Sequence, residues 1–305
     1  MAGTVCIVNP YSGGGQTGRR WPSSARRLAE AGLSFETRET CAAGEATTLA
    51  REALQAGADT IVAVGGDGTI HEIVNGFFAD GRAIAPEARL GILPAGSGSD
   101  LIKTLGIPAD ADGAIARLRR GETRVVDLGL ARFATDAGEA SRYYINTASL
   151  GLSGAVLVKM RTLPSFVGGS AAYMLGSVST LFEFKPFALT LELEDGTRRE
   201  EQALFVVAGN GRYFGAGMQA LPEARMDDGL LDVVLLRPMP LWELLLNFPR
   251  IYAGSHLALP AVAHWRTRRL SVTTATPQPL EIDGEQPGVT PASFEILPGA
   301  LRVIA

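Results

Sequence analysis

The run Gly65-Gly66-Asp67-Gly68-Thr69 constrains this chain more than any other stretch. It follows the apolar segment Thr60–Val64 and precedes the helical pattern of residues 70–78, so the spacing predicts a buried strand, a tight turn and a helix. A glycine-rich turn in that place aims backbone amides and a helix N-terminus at an anion, and the glycines let a phosphate come close. Asp67 adds a carboxylate beside it, suited to a divalent ion or to a water held by one. An ordinary βα turn uses the same residue types. Five of them in this order after a buried strand favour the phosphate site.

The surrounding chain repeats the pattern. Val5–Val8 and Leu90–Leu93 read as further buried strands, with helices at Ser23–Ala31 and Glu45–Ala56. That alternation predicts a parallel sheet covered by helices. Residues 9–18 and 94–100 are two more glycine-rich loops at carboxyl ends of strands, where open α/β sheets bind ligands. Gly13 to Gly18 also spells GxGxxG, with Glu36 and Glu39 near the spacing of a ribose-binding acid, but Asn9-Pro10 separates it from its strand. No GxxxxGK[ST] is present.

From Val125 the texture changes. Val125–Phe133, Tyr143–Ser149, Phe187–Leu193, Ala203–Ala208, Leu230–Leu236 and Leu270–Thr274 read as strands, with helical interruptions near residues 155–182 and 241–252. The expectation is an α/β N-terminal domain with a parallel sheet over residues 1–124 and a β-rich, sandwich-like domain over 125–299. A last strand at 300–305 would return to the first domain.

Composition narrows the partners. A net charge of -4 gives no general attraction for nucleic acid. Cys6 and Cys41 form neither a disulfide framework nor a metal pattern, which fits a reducing cytoplasm. The first residues lack the basic and long apolar regions of a signal peptide. Thr162–Phe182 carries no charge and could span a bilayer, yet Pro164, glycines and hydroxyl residues dilute it, favouring a buried or membrane-touching helix. His71, His256 and His264 are scattered and read as surface or packing residues, and no GxSxG elbow is present.

Taken together, Asn9-Pro10-Tyr11-Ser12-Gly13, Gly65–Thr69 and Pro94-Ala95-Gly96-Ser97-Gly98-Ser99-Asp100 resemble the three loops that line the nucleotide cleft of diacylglycerol and sphingosine kinases. Ser97 stands for the usual Thr, Ser99 for the usual Asn, and His71 where Asn is commoner. The resemblance continues through Val126–Gly129, Asn146, residues 149–154, 209–217 and 222–232, so it covers essentially the whole chain. It implies an NAD kinase/diacylglycerol kinase-like α/β domain that binds ATP through Asn9, Ser12, Gly13, Gly14, Thr40, Gly65, Gly66, Asp67, Gly68, Thr69, Gly96 and Ser97. It further implies Mg²⁺ held by Asp228 with the carbonyls of Arg225 and Leu230, and an acidic network of Asp67 and Asp127 with Asp228.

Near the end, Asp283 and Glu285 are carboxylates two residues apart, which strand alternation would place on one face. The resemblance assigns catalysis to them, with Glu285 as proton acceptor and Asp283 as its close partner. The implied reaction moves the γ-phosphoryl group of ATP to a lipid hydroxyl, diacylglycerol first among the acceptors, in a cleft between the domains. A lipid acceptor implies peripheral contact with the inner membrane face, through Lys159, Arg161, Leu163, Phe166 and the Leu241–Phe248 helix; a homodimer is compatible with this. An NAD kinase-like or phosphofructokinase-like enzyme with a soluble acceptor, and a non-catalytic nucleotide-binding module, stay open at this point.

Overall fold

The computed structural model describes residues 3–96, 100–160, 180 and 184–305. They form two compact units, Met1–Asp127 with Gly299–Ala305, and Leu128–Pro298.

The first unit runs β1 (Thr4–Val8), α1 (Gln16–Glu30), β2 (Phe35–Glu39), α2 (Glu45–Gln55), β3 (Thr60–Gly65), α3 (Asp67–Gly76), a hairpin of β4 (Phe78–Ala79) and β5 (Arg82–Ala83), β6 (Arg89–Pro94), α4 (Asp100–Leu105) and α5 (Ala111–Arg120). β1 pairs in parallel with β2 and β3, and β3 with β6. The end of the long last strand, β17 (Val289–Ile304), lies parallel to β6 with Arg302 opposite Arg89. Cys6, Val8, Val62, Val64 and Leu93 pack against Trp21, Leu28, Ile115 and Leu118 of the covering helices. Burial pushes the Cys6 thiol up to about 12, so it behaves as a small apolar residue.

α1 starts at Gln16 rather than at Ser23. Gly13, Gly14 and Gly15, at φ 61°, 67° and 82°, turn the chain straight into it. Pro22 removes one amide from the helix without ending it, because Thr17, Trp21 and Leu28 are buried along one face.

The second unit is a sandwich. One sheet is β9 (Thr147–Gly151), β12 (Phe205–Gly209), β13 (Leu231–Leu236), β14 (Val262–Thr267) and β16 (Leu280–Ile282), all antiparallel, in the order β14-β13-β12-β9-β16. The other has β11 (Arg198–Ala203), β10 (Phe187–Leu193), β15 (Arg269–Thr274) and the first part of β17 in sequence across it. β7 (Thr123–Thr135) pairs with β8 (Gly138–Tyr144) and with β17. Phe133, Tyr144, Leu150, Leu191, Val206, Val233, Leu270, Ile282 and Phe294 belong to one apolar core shared by both sheets.

The expected single strand Tyr143–Ser149 is two strands. β8 ends at Tyr144 in one sheet and β9 begins at Thr147 in the other. The break falls where the amides of Ile145, Asn146 and Thr147 leave the ladder for a carboxylate described below. β11 and β14 were not apparent from the sequence because neither alternates: β11 is charged or polar at five of its six positions, and β14 mixes His264 and Arg266 with Val262, Ala263 and Trp265.

α6 (Leu152–Met160) follows β9 and ends with Lys159 in its last turn. Arg161 and the uncharged run after it, including Leu163 and Phe166 but not Thr180, lie outside the described residues. Among the described residues no helix is long and apolar enough to cross a membrane. After β13 come two short helices, α7 (Leu241–Asn247) and α8 (Pro249–Tyr252).

Candidate functional site

In the first unit the three glycine-rich loops meet at the carboxyl ends of β1, β3 and β6. The register sets Val8 beside Val64 and Gly65 beside Pro94, so each loop leaves the sheet at the same level. Thr40, just past β2, joins them there: it is buried and its amide donates to the Val8 carbonyl at 2.9 Å. The Asn9 side-chain amide donates to Thr69 Oγ1 at 3.2 Å, while Asn9 Oδ1 accepts the Tyr11 amide at 3.1 Å. Asn9 therefore ties the first loop to the first turn of α3.

Gly96 shows how tightly the loops converge. A Cβ there would stand 2.6 Å from Gly66 Cα, 2.8 Å from Gly66 N and 3.0 Å from Ser12 Oγ. Two of those neighbours are backbone, which cannot rotate away. Asp67 opens α3, and its Oδ2 accepts the Asp100 amide at 3.2 Å, linking the second and third loops. Ser97 lies outside the described residues. Since α3 has no side-chain cap at its N-terminus, the arrangement suits phosphate oxygens. Gly96→Ala is expected to displace the Gly66 loop by overpacking, at a cost of about 1–3 kcal/mol, and to weaken roughly tenfold the binding of a phosphate-bearing ligand at these loops, with ATP as the probe. Calorimetric titration with ATP checks this.

In the second unit the residues around 283 form a turn rather than a continuing strand. The Glu285 amide donates to the Ile282 carbonyl at 2.9 Å and the Ile282 amide to the Glu285 carbonyl at 2.8 Å. Asp283 and Gly284 have φ of 46° and 90°, the pattern of a two-residue type I′ hairpin turn, for which Asp-Gly is a favoured pair. β16 ends at Ile282, so alternation stops there, and the expected shared face for Asp283 and Glu285 is not formed. Asp283 is buried and Glu285 is exposed.

Asp283 accepts three backbone amides. Its Oδ1 accepts the amides of Asn146 at 3.1 Å and Thr147 at 2.9 Å, and its Oδ2 accepts that of Ile145 at 2.9 Å. The Asn146 carbonyl in turn accepts the amides of Asn210 and Gly211, both at 2.9 Å. One carboxylate thus fixes the β8–β9 break, the residue-210 turn and the 283–284 turn together. The phenol of Tyr144, fully enclosed beside it, is pushed up by burial and further by the Asp283 charge.

Glu281 was not singled out from the sequence. It is buried, its Oε1 accepts the Gly284 amide at 2.8 Å, and its Oε2 accepts from Ser149 Oγ, which lies 2.7 Å from Ser153 Oγ. No alternation could have found it, because all three residues of β16 are buried and Asp283 lies in the turn beyond it. Glu285, by contrast, has no side-chain hydrogen bond or ion pair among the described residues.

Asp228 begins a turn with Gly229 at φ 71°. Its Oδ1 accepts the Leu230 amide at 3.1 Å and its Oδ2 meets the Arg266 guanidinium. Arg266 Nε also stands 3.5 Å from buried Asp232, whose other oxygen pairs with His264 Nε2 at 2.9 Å. Oxygen donors suit Mg²⁺. Here the Asp228 carboxylate lies between a guanidinium and an amide. No three His, Cys, Asp or Glu side chains among the described residues gather as a metal site. Arg225 faces Asp227 at 3.8 Å, and Asp127 accepts the Gly299 amide at 2.7 Å. Asp67, Asp127 and Asp228 each have partners of their own.

Comparison with known proteins returns two adjoining family models. Residues 4–131 match the family model described as the diacylglycerol kinase catalytic domain, and residues 147–305 match that of the YegS C-terminal NAD kinase beta sandwich-like domain. A diacylglycerol kinase of Staphylococcus saprophyticus subsp. saprophyticus is 30% identical over 290 residues, covering 94% of this chain and 90% of that one. One from Staphylococcus aureus is 29% identical over 300 residues, covering 98% and 91%. A crystal structure of a diacylglycerol kinase from Bacillus anthracis str. Sterne shares the fold at a TM-score of 0.72 and 22% identity, covering 99% of this chain and 96% of its own.

Proposed function

We propose that this chain, which belongs to the diacylglycerol kinase family, is a lipid kinase whose acceptor is diacylglycerol and whose product is phosphatidic acid. ATP is the phosphoryl donor, arriving as its magnesium complex. The meeting of three glycine-rich loops at Ser12, Gly66 and Gly96, with Asp67 at the head of α3, carries this reading. Amides there hold the phosphate oxygens and counter the charge that grows on them during transfer.

Glu285 is the proposed base. It accepts the acceptor hydroxyl proton as the hydroxyl oxygen bonds to the γ-phosphorus and the bond to the β-phosphate oxygen breaks, leaving ADP. A proton acceptor needs a lone pair within reach, and exposed Glu285 offers one. Asp283 has committed its oxygens to three amides, which supports a positioning role: it holds the turn from which Glu285 projects. Glu281 supports the same turn through Gly284. No step is assigned to Asp228.

Radiolabelled ATP incubated with mixed vesicles of diacylglycerol, monoacylglycerol, ceramide or sphingosine, and separately with NAD, tests this. Labelled phosphatidic acid is the expected main product. Labelled NADP with no lipid product would refute the reading.

A further inference from the structure

We infer that α7 and α8 form a ridge that inserts into the interface of a lipid bilayer and docks this unit on the membrane. The inference rests on the lipid acceptor proposed above. Trp242, Leu245, Leu246, Phe248 and Tyr252 are 67%, 51%, 73%, 47% and 49% exposed. They are five of the eight large hydrophobics that are exposed among the described residues, all within one short stretch. Such clustering departs from the scattered single exposures of an ordinary surface.

The spacing reinforces the point. Trp242, Leu245 and Leu246 stand at i, i+3 and i+4 on α7, one face of a helix. In a water-soluble unit that face turns to the core, yet α7 and α8 bury no residue at all. The ridge is held rigidly from beneath instead. Ile251 packs on the apolar cluster of Phe205, Phe214 and Val234, and its carbonyl accepts the Gln219 amide at 2.9 Å.

The side-chain chemistry selects the occupant. Aromatic residues at both ends of a leucine pair suit the boundary between headgroups and acyl chains, where ring bodies are apolar and tips polar. The stretch Leu241–Tyr252 has two charges, partly buried Glu243 and exposed Arg250. Exposed Arg250 complements anionic headgroups. An acceptor that resides in the bilayer makes such contact a requirement of turnover.

Co-sedimentation with phosphatidylcholine–phosphatidylglycerol vesicles, without ATP, tests the ridge apart from catalysis. L245E/L246E is expected to lower partitioning about tenfold or more, while turnover of a short-chain, water-dispersed diacylglycerol stays within about twofold of wild type. Brominated-lipid vesicles are expected to quench wild-type tryptophan emission, and W242F is expected to lose most of that quenching because Trp21 is buried and Trp265 partly so. Unchanged sedimentation of L245E/L246E would overturn the inference, as would equal loss of short-chain turnover. So would sedimentation velocity showing a wild-type dimer that the double variant converts to monomer. Vesicle binding through the ridge by a protein that phosphorylates no lipid would sink the proposed acceptor and leave the docking surface standing.

Discussion

Asp283→Ala is expected to destabilise the second unit by about 3–5 kcal/mol, the largest stability effect of any single substitution at this site. The carboxylate accepts three backbone amides that have no strand to pair with. Removing it strands three buried donors at the break between β8 and β9, and each uncompensated donor costs a substantial fraction of a charge-assisted hydrogen bond. Asp283→Asn separates the positioning role from a catalytic one. Its amide oxygen can still serve Asn146 and Thr147, but its NH₂ group then faces the Ile145 amide, donor against donor. Denaturant unfolding should rank wild type above the Asn variant and the Ala variant lowest. A full loss of turnover in Asp283→Asn with unchanged unfolding would instead make Asp283 the base.

Glu285→Gln should do the opposite. Its side chain is exposed and makes no hydrogen bond or ion pair among the described residues, so unfolding is expected to match wild type within about 0.5 kcal/mol. Loss of the proton acceptor is expected to lower kcat about a hundredfold to ten-thousandfold, with ATP affinity unchanged. Single-turnover kinetics together with ATP titration would read both quantities. Normal turnover by this variant would remove Glu285 from the reaction.

The glycine-rich loops of the first unit were legible because their strands are covered on both faces. β1, β3 and β6 therefore read as unbroken apolar runs, and their loops as glycine clusters. β2, at the sheet edge with the sequence FETRE, gives no such run. The acidic residues of the second unit were legible only as residue types. Which acid is buried depends on amides far away in sequence, Asn146 being 137 positions from Asp283. No local pattern reports that. The Asp283-Gly284 pair did carry a turn signal, and weighing it above strand alternation would have separated Asp283 from Glu285 at once. The arginine on Asp228 is similarly remote, since Arg266 comes from a strand 38 residues on.

β17 has a consequence for how the chain is made. Its last residues lie against β6, so the first unit is assembled from the beginning of the chain and from its final stretch, Gly299–Ala305. On a translating ribosome the nucleotide loops are synthesised early, yet one flank of β6 stays unpaired until the entire sandwich has been produced. An uncovered flank of a parallel sheet invites pairing with other nascent chains. Completion of the first unit therefore waits for residues that are synthesised after the sandwich.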